Sequence, residues 1–136
     1  RKSILVPIDF SDASFRALDE ALTMVGDPSH VHAIHVLPDL DSELAFMRET
    51  FDLEGREVRA ETAIRERLGE KRQGVQVVVR TGVAGDVIAS VAEQLGCDLI
   101  VIPSHGRSGI SRFFLGSVAE RVLRRATCPV LVLRVK

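Results

Sequence analysis

The chain has no apolar run long enough to cross a bilayer. Stretches such as Leu99–Pro103 and Pro129–Leu133 stop after five residues, against the roughly 20 that a spanning helix needs, and no signal-peptide pattern opens the sequence. The expectation is a cytosolic protein that stays out of the membrane. Charge of one sign is also missing: 18 Lys and Arg stand against 19 Asp and Glu, a net charge of −1. No global positive field concentrates the chain on nucleic acid or an anionic surface, so any polyanion site must be local. Cysteine is scarce. Cys97 and Cys128 lie 31 positions apart without a Cys-x-x-Cys pair, each bordering an apolar strand, and read as core thiols rather than a disulfide or redox pair. There is no internal repeat with a period of about 20–50 residues and no low-complexity linker, so no domain boundary is expected.

What remains is a composition of 46% hydrophobic and 27% charged residues, which excludes a disordered, collagen-like or disulfide-stapled chain. Its 136 residues suit one domain, residues 1–136, whose folding buries roughly 68% of the surface of the unfolded chain.

Five short apolar runs rich in β-branched residues recur along the chain: Ser3–Ile8, Val31–Leu37, Val75–Arg80, Asp98–Ile102 and Pro129–Val135. They are continuous rather than alternating, as strands covered on both faces should be. Between the first two, Ser11 or Asp12 caps a helix carrying Phe15, Leu18, Leu22 and Val25 at helical spacing, ended by Gly26 and Pro28. Asp41–Gly69 holds one or two helices, with breaks near Asp52 and Gly55. Ala84–Leu95, closed by Gly96, and Ser117–Ala126 repeat the helical pattern. The order βαβαβαβαβ is that of an α/β fold, an open doubly wound five-stranded parallel sheet with helices on both faces. In such sheets ligands sit beyond the C-terminal ends of the strands, where the winding reverses.

Two segments there carry chemistry. Pro103-Ser104-His105-Gly106 follows the fourth strand, and nine residues later Gly116-Ser117 opens the last helix. Gly106 permits a tight turn, while Gly116 and Ser117 offer unpaired N–H groups and a hydroxyl at a helix N-terminus, donors suited to phosphate oxygens. Arg107, Arg112, Arg121, Arg124 and Arg125 against Glu120 alone make this stretch locally basic. The plain alternative is that Gly116-Ser117 only caps the helix and the later arginines decorate its solvent face. At the first strand's end, Asp9 is placed to accept from ribose hydroxyls, with Pro7-Ile8 lining a slot for a base, or else it begins a turn and helps cap the next helix.

These residues resemble the universal stress protein family. Ile4-Leu5-Val6-Pro7-Ile8-Asp9-Phe10-Ser11, Ile34-His35-Val36, Asp98-Leu99-Ile100-Val101 with Ser104-His105-Gly106, Gly116-Ser117-Val118 and Cys128-Pro129-Val130-Leu131-Val132 match its pattern in order, from about Ser3 to Val135. The resemblance implies strand order 3-2-1-4-5 and a crevice between strands one and four. It also implies adenine nucleotide (ATP) binding, with Pro7, Ile8 and Val36 flanking the base, Asp9 at the ribose, Ile102 and Val118 in apolar contact, and Ser104, His105, Gly106, Gly116 and Ser117 around the phosphates. A magnesium ion would come only with the nucleotide. The ATP-binding branch is marked by Gly-x-x-Gly, nine residues, then Gly and Ser or Thr. Here the first glycine is Pro103, which removes a backbone donor and adds a ring where a ligand would approach.

No Ser-Gly-Gly-x-Asp-Ser loop, Gly-x-Ser-x-Gly elbow or Walker Gly-Lys-Ser/Thr is present, so no catalytic residue is assigned and no enzyme activity beyond slow ATP hydrolysis is expected. His30 and His32 are expected on one face of a strand and His35 on the other, which leaves no converging metal ligands. The function implied is a stress-response binding module whose conformation or partners depend on nucleotide occupancy. Its alternative is a dimeric interaction protein of the same fold in which Pro103 prevents ATP binding. By the same resemblance, Pro129–Val135 forms an edge strand that pairs with its copy in a homodimer.

Overall fold

The computed structural model describes residues 2–39, 53–105 and 115–134. In chain order the elements are β1 (Ile4–Pro7), α1 (Asp12–Leu22), β2 (Val31–Leu37), α2 (Leu53–Leu68), β3 (Gln76–Thr81), α3 (Ala84–Gln94), β4 (Leu99–Pro103), α4 (Ser117–Arg125) and β5 (Val130–Leu133). The strands form one parallel sheet in the order β3-β2-β1-β4-β5, the order implied by the family resemblance.

Alternate residues of each central strand serve opposite layers. Ile4, Val6 and Val101 pack with Phe15, Leu18 and Ile64 beneath α1 and α2. Leu5, Ile100 and Ile102 pack with Ile88, Val91 and Val122 beneath α3 and α4. Both faces are covered, which is why the strands are apolar at successive positions. Each fully buried Leu, Ile or Val contributes roughly 1.5–3 kcal/mol relative to exposure.

Some boundaries differ from the sequence reading. α1 stops at Leu22 rather than Gly26, because the Thr23 and Met24 N–H groups turn to the Glu20 and Ala21 carbonyls and tighten the last turn. Gly55 lies inside α2 and breaks nothing; near a helix end one glycine costs too little to interrupt a packed helix. His30 belongs to a 3₁₀ turn, Pro28–His30, initiated by Asp27 accepting from the Ser29 N–H, so it precedes β2 instead of sharing a strand face with His32. The second helix considered within Asp41–Gly69 would precede the break near Asp52, in residues 41–52, which lie outside the described residues, as does Val135.

Two tertiary locks bind the helices. Arg72 reaches Asp19 on α1 with Nε and Nη2, at 2.7 and 3.0 Å, while Arg67 and Arg72 lie 4.3 and 5.4 Å from the Phe15 ring. On the other layer α3 and α4 approach so closely at Gly85 that a Cβ there would lie 2.6 Å from Arg121 Cβ. The Arg121 guanidinium then grips Asp86 through two hydrogen bonds of 2.8 and 3.0 Å.

Candidate functional site

The C-terminal ends of β1, β2 and β4 and the N-terminus of α4 converge where the winding reverses. Pro7 pairs with Ile34 on β2, and the next N–H, that of Ile8, donates to the Ile34 carbonyl over 2.7 Å. The end of β1 therefore follows β2. Its ladder with β4 runs only through Ile4–Leu99 and Leu5–Ile100, so the two strands part toward their C-terminal ends, Pro7 on one side and Ile102 and Pro103 on the other. Such a parting is where open α/β sheets take ligands.

Asp9 is held by its own turn. Its Oδ1 accepts from the Ser11 N–H at 3.0 Å and from the Ser11 hydroxyl, and that hydroxyl in turn accepts from the Ser14 N–H, capping α1. The turn-and-cap role is thus real for one carboxylate oxygen. What steadies this loop is a histidine. His35 on β2 donates from Nδ1 to the Ile8 carbonyl over 2.6 Å and meets the Phe10 ring edge-on, with centroids 4.9 Å apart. A carbonyl only accepts, so the proton resides on Nδ1. Phe10 itself has φ +67°, a conformation costly for a bulky side chain and held here by its neighbours. Only the opposite parity of His35 and His32 hinted at this role.

Pro103 ends β4, buried and paired with Leu133. The Ile100 and Ser104 N–H groups donate to the Pro129 and Leu133 carbonyls of β5, at 3.0 and 2.7 Å. By strand alternation the nitrogens of Val101 and Pro103 point the other way, toward β1. The proline therefore forfeits no bond to β5, and the donor it lacks is on the β1 side.

Gly116 departs from the expectation of an unpaired N–H. Its N–H donates to the Ser104 carbonyl over 2.6 Å, closing the base of the connection between β4 and α4. The first helical bond of α4 runs from the Glu120 N–H to the Gly116 carbonyl, and no side chain caps the end. The N–H groups of Ser117, Val118 and Ala119 are therefore the first-turn donors without a helical partner. Beside Ser104, His105 is only 7% exposed; its Nδ1 pairs with the Ser104 hydroxyl at 3.2 Å, and its Nε2 is buried without a hydrogen-bond partner among the described residues.

Ile8 and Ile102 are buried, Pro7 and Val36 half-buried, and Val118 is 40% exposed on the first turn of α4. Gly106, Arg107 and Arg112 lie outside the described residues. The three described arginines of the basic stretch meet two carboxylates: Arg121 and Arg125 both reach Asp86 on α3, at 2.8 and 3.5 Å, and Arg124 pairs with Glu120. Hydrogen bonding from Arg121 holds the Asp86 carboxyl below its ordinary range. Arg121, Arg124 and Arg125 are all exposed on α4. Among the described residues no group of three His, Cys, Asp or Glu side chains is placed to hold a metal ion, and no helix is long and apolar enough to cross a membrane.

A family model described as the universal stress protein family matches residues 1–134. The chain belongs to that family. Universal stress protein MJ0531 of Methanocaldococcus jannaschii is 32% identical over 141 residues, covering 98% of this chain and 82% of that protein. The solved structure of the hypothetical protein MJ0577 superposes with a TM-score of 0.81 at 27% identity, covering 99% and 96% of the two chains. A universal stress protein solved in complex with cAMP has a TM-score of 0.68 at 20% identity, covering 99% and 98%. At that identity the likeness is one of fold, and the cAMP is that protein's ligand.

Proposed function

We propose that this universal stress protein is a cytoplasmic adenine-nucleotide (ATP) binding module of the stress response, in which occupancy of the gap between β1 and β4 biases conformation or partner choice. The observation that carries the reading is the end of α4. Three first-turn N–H groups and the positive end of the helix dipole lie at the opening of the sheet, and Ser104 joins that end to His105 Nδ1, whose ring carries a buried Nε2 without a partner among the described residues. Together these are donors for phosphate oxygens. Pro7, Ile8, Val36 and Ile102 supply the apolar walls for the base, and the Asp9 carboxylate lies at the level of the ribose. Asp9, its carboxylate steadied by Ser11, belongs to binding and not to chemistry: no described group is arranged as a nucleophile with its base. Hydrolysis is slow or absent in this reading, and magnesium accompanies the phosphates.

Calorimetric titration with ATP, run beside a phosphate-release assay, tests the reading. Saturable binding with little release supports it, and rapid release would make the protein an enzyme. Absence of binding at millimolar ATP would favour a second reading, an interaction protein closed to nucleotide by the Pro103 ring. Both readings share one assembly. All four residues of the edge strand β5, Val130 to Leu133, are apolar and only half-buried, and pairing with a second copy would cover them and the open edge. Sedimentation showing only monomer at tens of micromolar protein, roughly the range of moderate affinity, would remove the dimer.

A further inference from the structure

Both cysteines lie in the loops that return the chain from the α3/α4 layer to the sheet. Cys97 follows Gly96, whose φ of +67° closes α3, and the Cys97 N–H donates to the Ala92 carbonyl over 2.8 Å. Cys128 occupies the matching place between α4 and β5. The two strands that follow are adjacent and parallel, with Ile100 paired to Val130. Carried back two residues, that register sets Cys128 level with Asp98, one residue from Cys97. The Ile100 N–H bond to the Pro129 carbonyl, 3.0 Å, holds the two approaches together, and straight strands, ~4.8 Å apart with ~3.3 Å per residue, would set the two Cα atoms about 6 Å apart, against the ~4.4–6.8 Å that a disulfide bridges.

By strand alternation alone Cys97 and Cys128 would face opposite sides of the sheet, and a bend brings them to one side. At Asp98 the chain bends, its N–H turning to the Ser3 carbonyl at 2.8 Å rather than to β5, and Cys97 enters the same core layer that Cys128 packs against. Ser3 Oγ donates to the Cys97 sulfur at 3.7 Å, and Cys97 is 7% exposed, whereas Cys128 is half-buried. Burial pushes both thiols above their ordinary range, and proximity to Cys128 adds to the effect at Cys97.

We propose that Cys97 and Cys128 are a dithiol modification site that closes to an intramolecular disulfide under peroxide, stapling the approach to β5 onto the approach to β4. Cys128, the more accessible, reacts first. Its thiolate attacks one peroxide oxygen, the S–O bond forms as the O–O bond breaks, and the hydroxide released takes up a proton to become water. The Cys97 thiolate then attacks the sulfenic sulfur, forming the S–S bond and expelling the second oxygen, which leaves as water. Two thiols lose two electrons and two protons, and hydrogen peroxide is reduced to two waters.

The test treats the folded, reduced protein with hydrogen peroxide, then counts thiols and weighs the intact chain without reductant. Expected are loss of both thiols in a monomeric chain lighter by two hydrogens, reversal by dithiothreitol, and a rate that rises between about pH 7 and 9 as thiolate accumulates. Cys97→Ser and Cys128→Ser, each checked for native circular dichroism, should instead gain oxygen on the remaining cysteine. Retention of both thiols by the wild type, oxygen addition without the bond, or a covalent dimer as the product would overturn the proposal.

Discussion

The Gly116 N–H donates to the Ser104 carbonyl across 2.6 Å, so the two halves of the nucleotide-type motif, eleven intervening residues apart in sequence, are tied at their base. The glycine's N–H is thereby taken up within the fold, and the first-turn N–H groups left without a helical partner begin one residue later, at Ser117.

This makes Ser117→Pro the sharpest probe of the site. Ser117 is the first residue of α4, where proline fits, and Gly116 at φ −66° and ψ 154° already has the extended conformation a following proline requires. The substitution deletes one donor without breaking a helical bond. ATP affinity should fall about tenfold, on the order of 1.4 kcal/mol, relative to Ser117→Ala, while the melting temperature holds or rises. Equal affinities in calorimetry would show that this N–H does not meet phosphate.

Pro103→Gly restores an N–H on the side of β4 that faces β1. ATP should bind more tightly, while added freedom of the unfolded chain costs roughly 0.4–1 kcal/mol of stability. A wild type that already binds tightly, matched by the variant, would mark the ring as harmless.

Asp9 offers a test of the sugar. The wild type should prefer ATP over its 2′-deoxy form, and Asp9→Ala should lose the preference. The same variant removes the acceptor that orients the Ser11 cap of α1, so a stability loss of about 1 kcal/mol is expected in urea. If only stability changes, Asp9 is a turn residue alone.

Gly85→Ala measures the α3/α4 contact. The new Cβ would meet the fixed Cβ of Arg121 at 2.6 Å, an overlap worth about 1–3 kcal/mol, set against a gain of about 1 kcal/mol in helix propensity. A net loss of melting temperature is expected, and an increase would show that the helices separate easily.

The acid limb of stability should report Asp19. Hydrogen bonding from Arg72 lowers its pKa from the ordinary 3.8. A carboxyl depressed on folding stabilises fully above its unfolded pKa, and that contribution disappears as pH falls through the folded value. Asp19→Asn should therefore be less stable than wild type near neutrality, with the gap closing below about pH 4. A gap independent of pH would assign the loss to packing.

The strand runs, the helical spacings and the motif residues from Ile4 to Val132 were legible in the sequence because burial on both faces demands continuous apolar strands and because turns and helix starts at a sheet's end favour glycine and hydroxyl residues. Strand order was legible only through family resemblance, since all five runs look alike. What the tertiary structure decided were partnerships across long separations. Asp86, 35 residues from Arg121, pairs with Arg121 and Arg125 of the basic stretch. The Ser104 carbonyl takes the N–H of Gly116, and Cys97 and Cys128, 31 residues apart, enter one core layer. Local sequence records what a residue is able to donate or accept, but a hydrogen bond or ion pair forms with whatever group packing brings within about 3 Å, and that neighbour is settled by how helices and strands stack, not by their order along the chain.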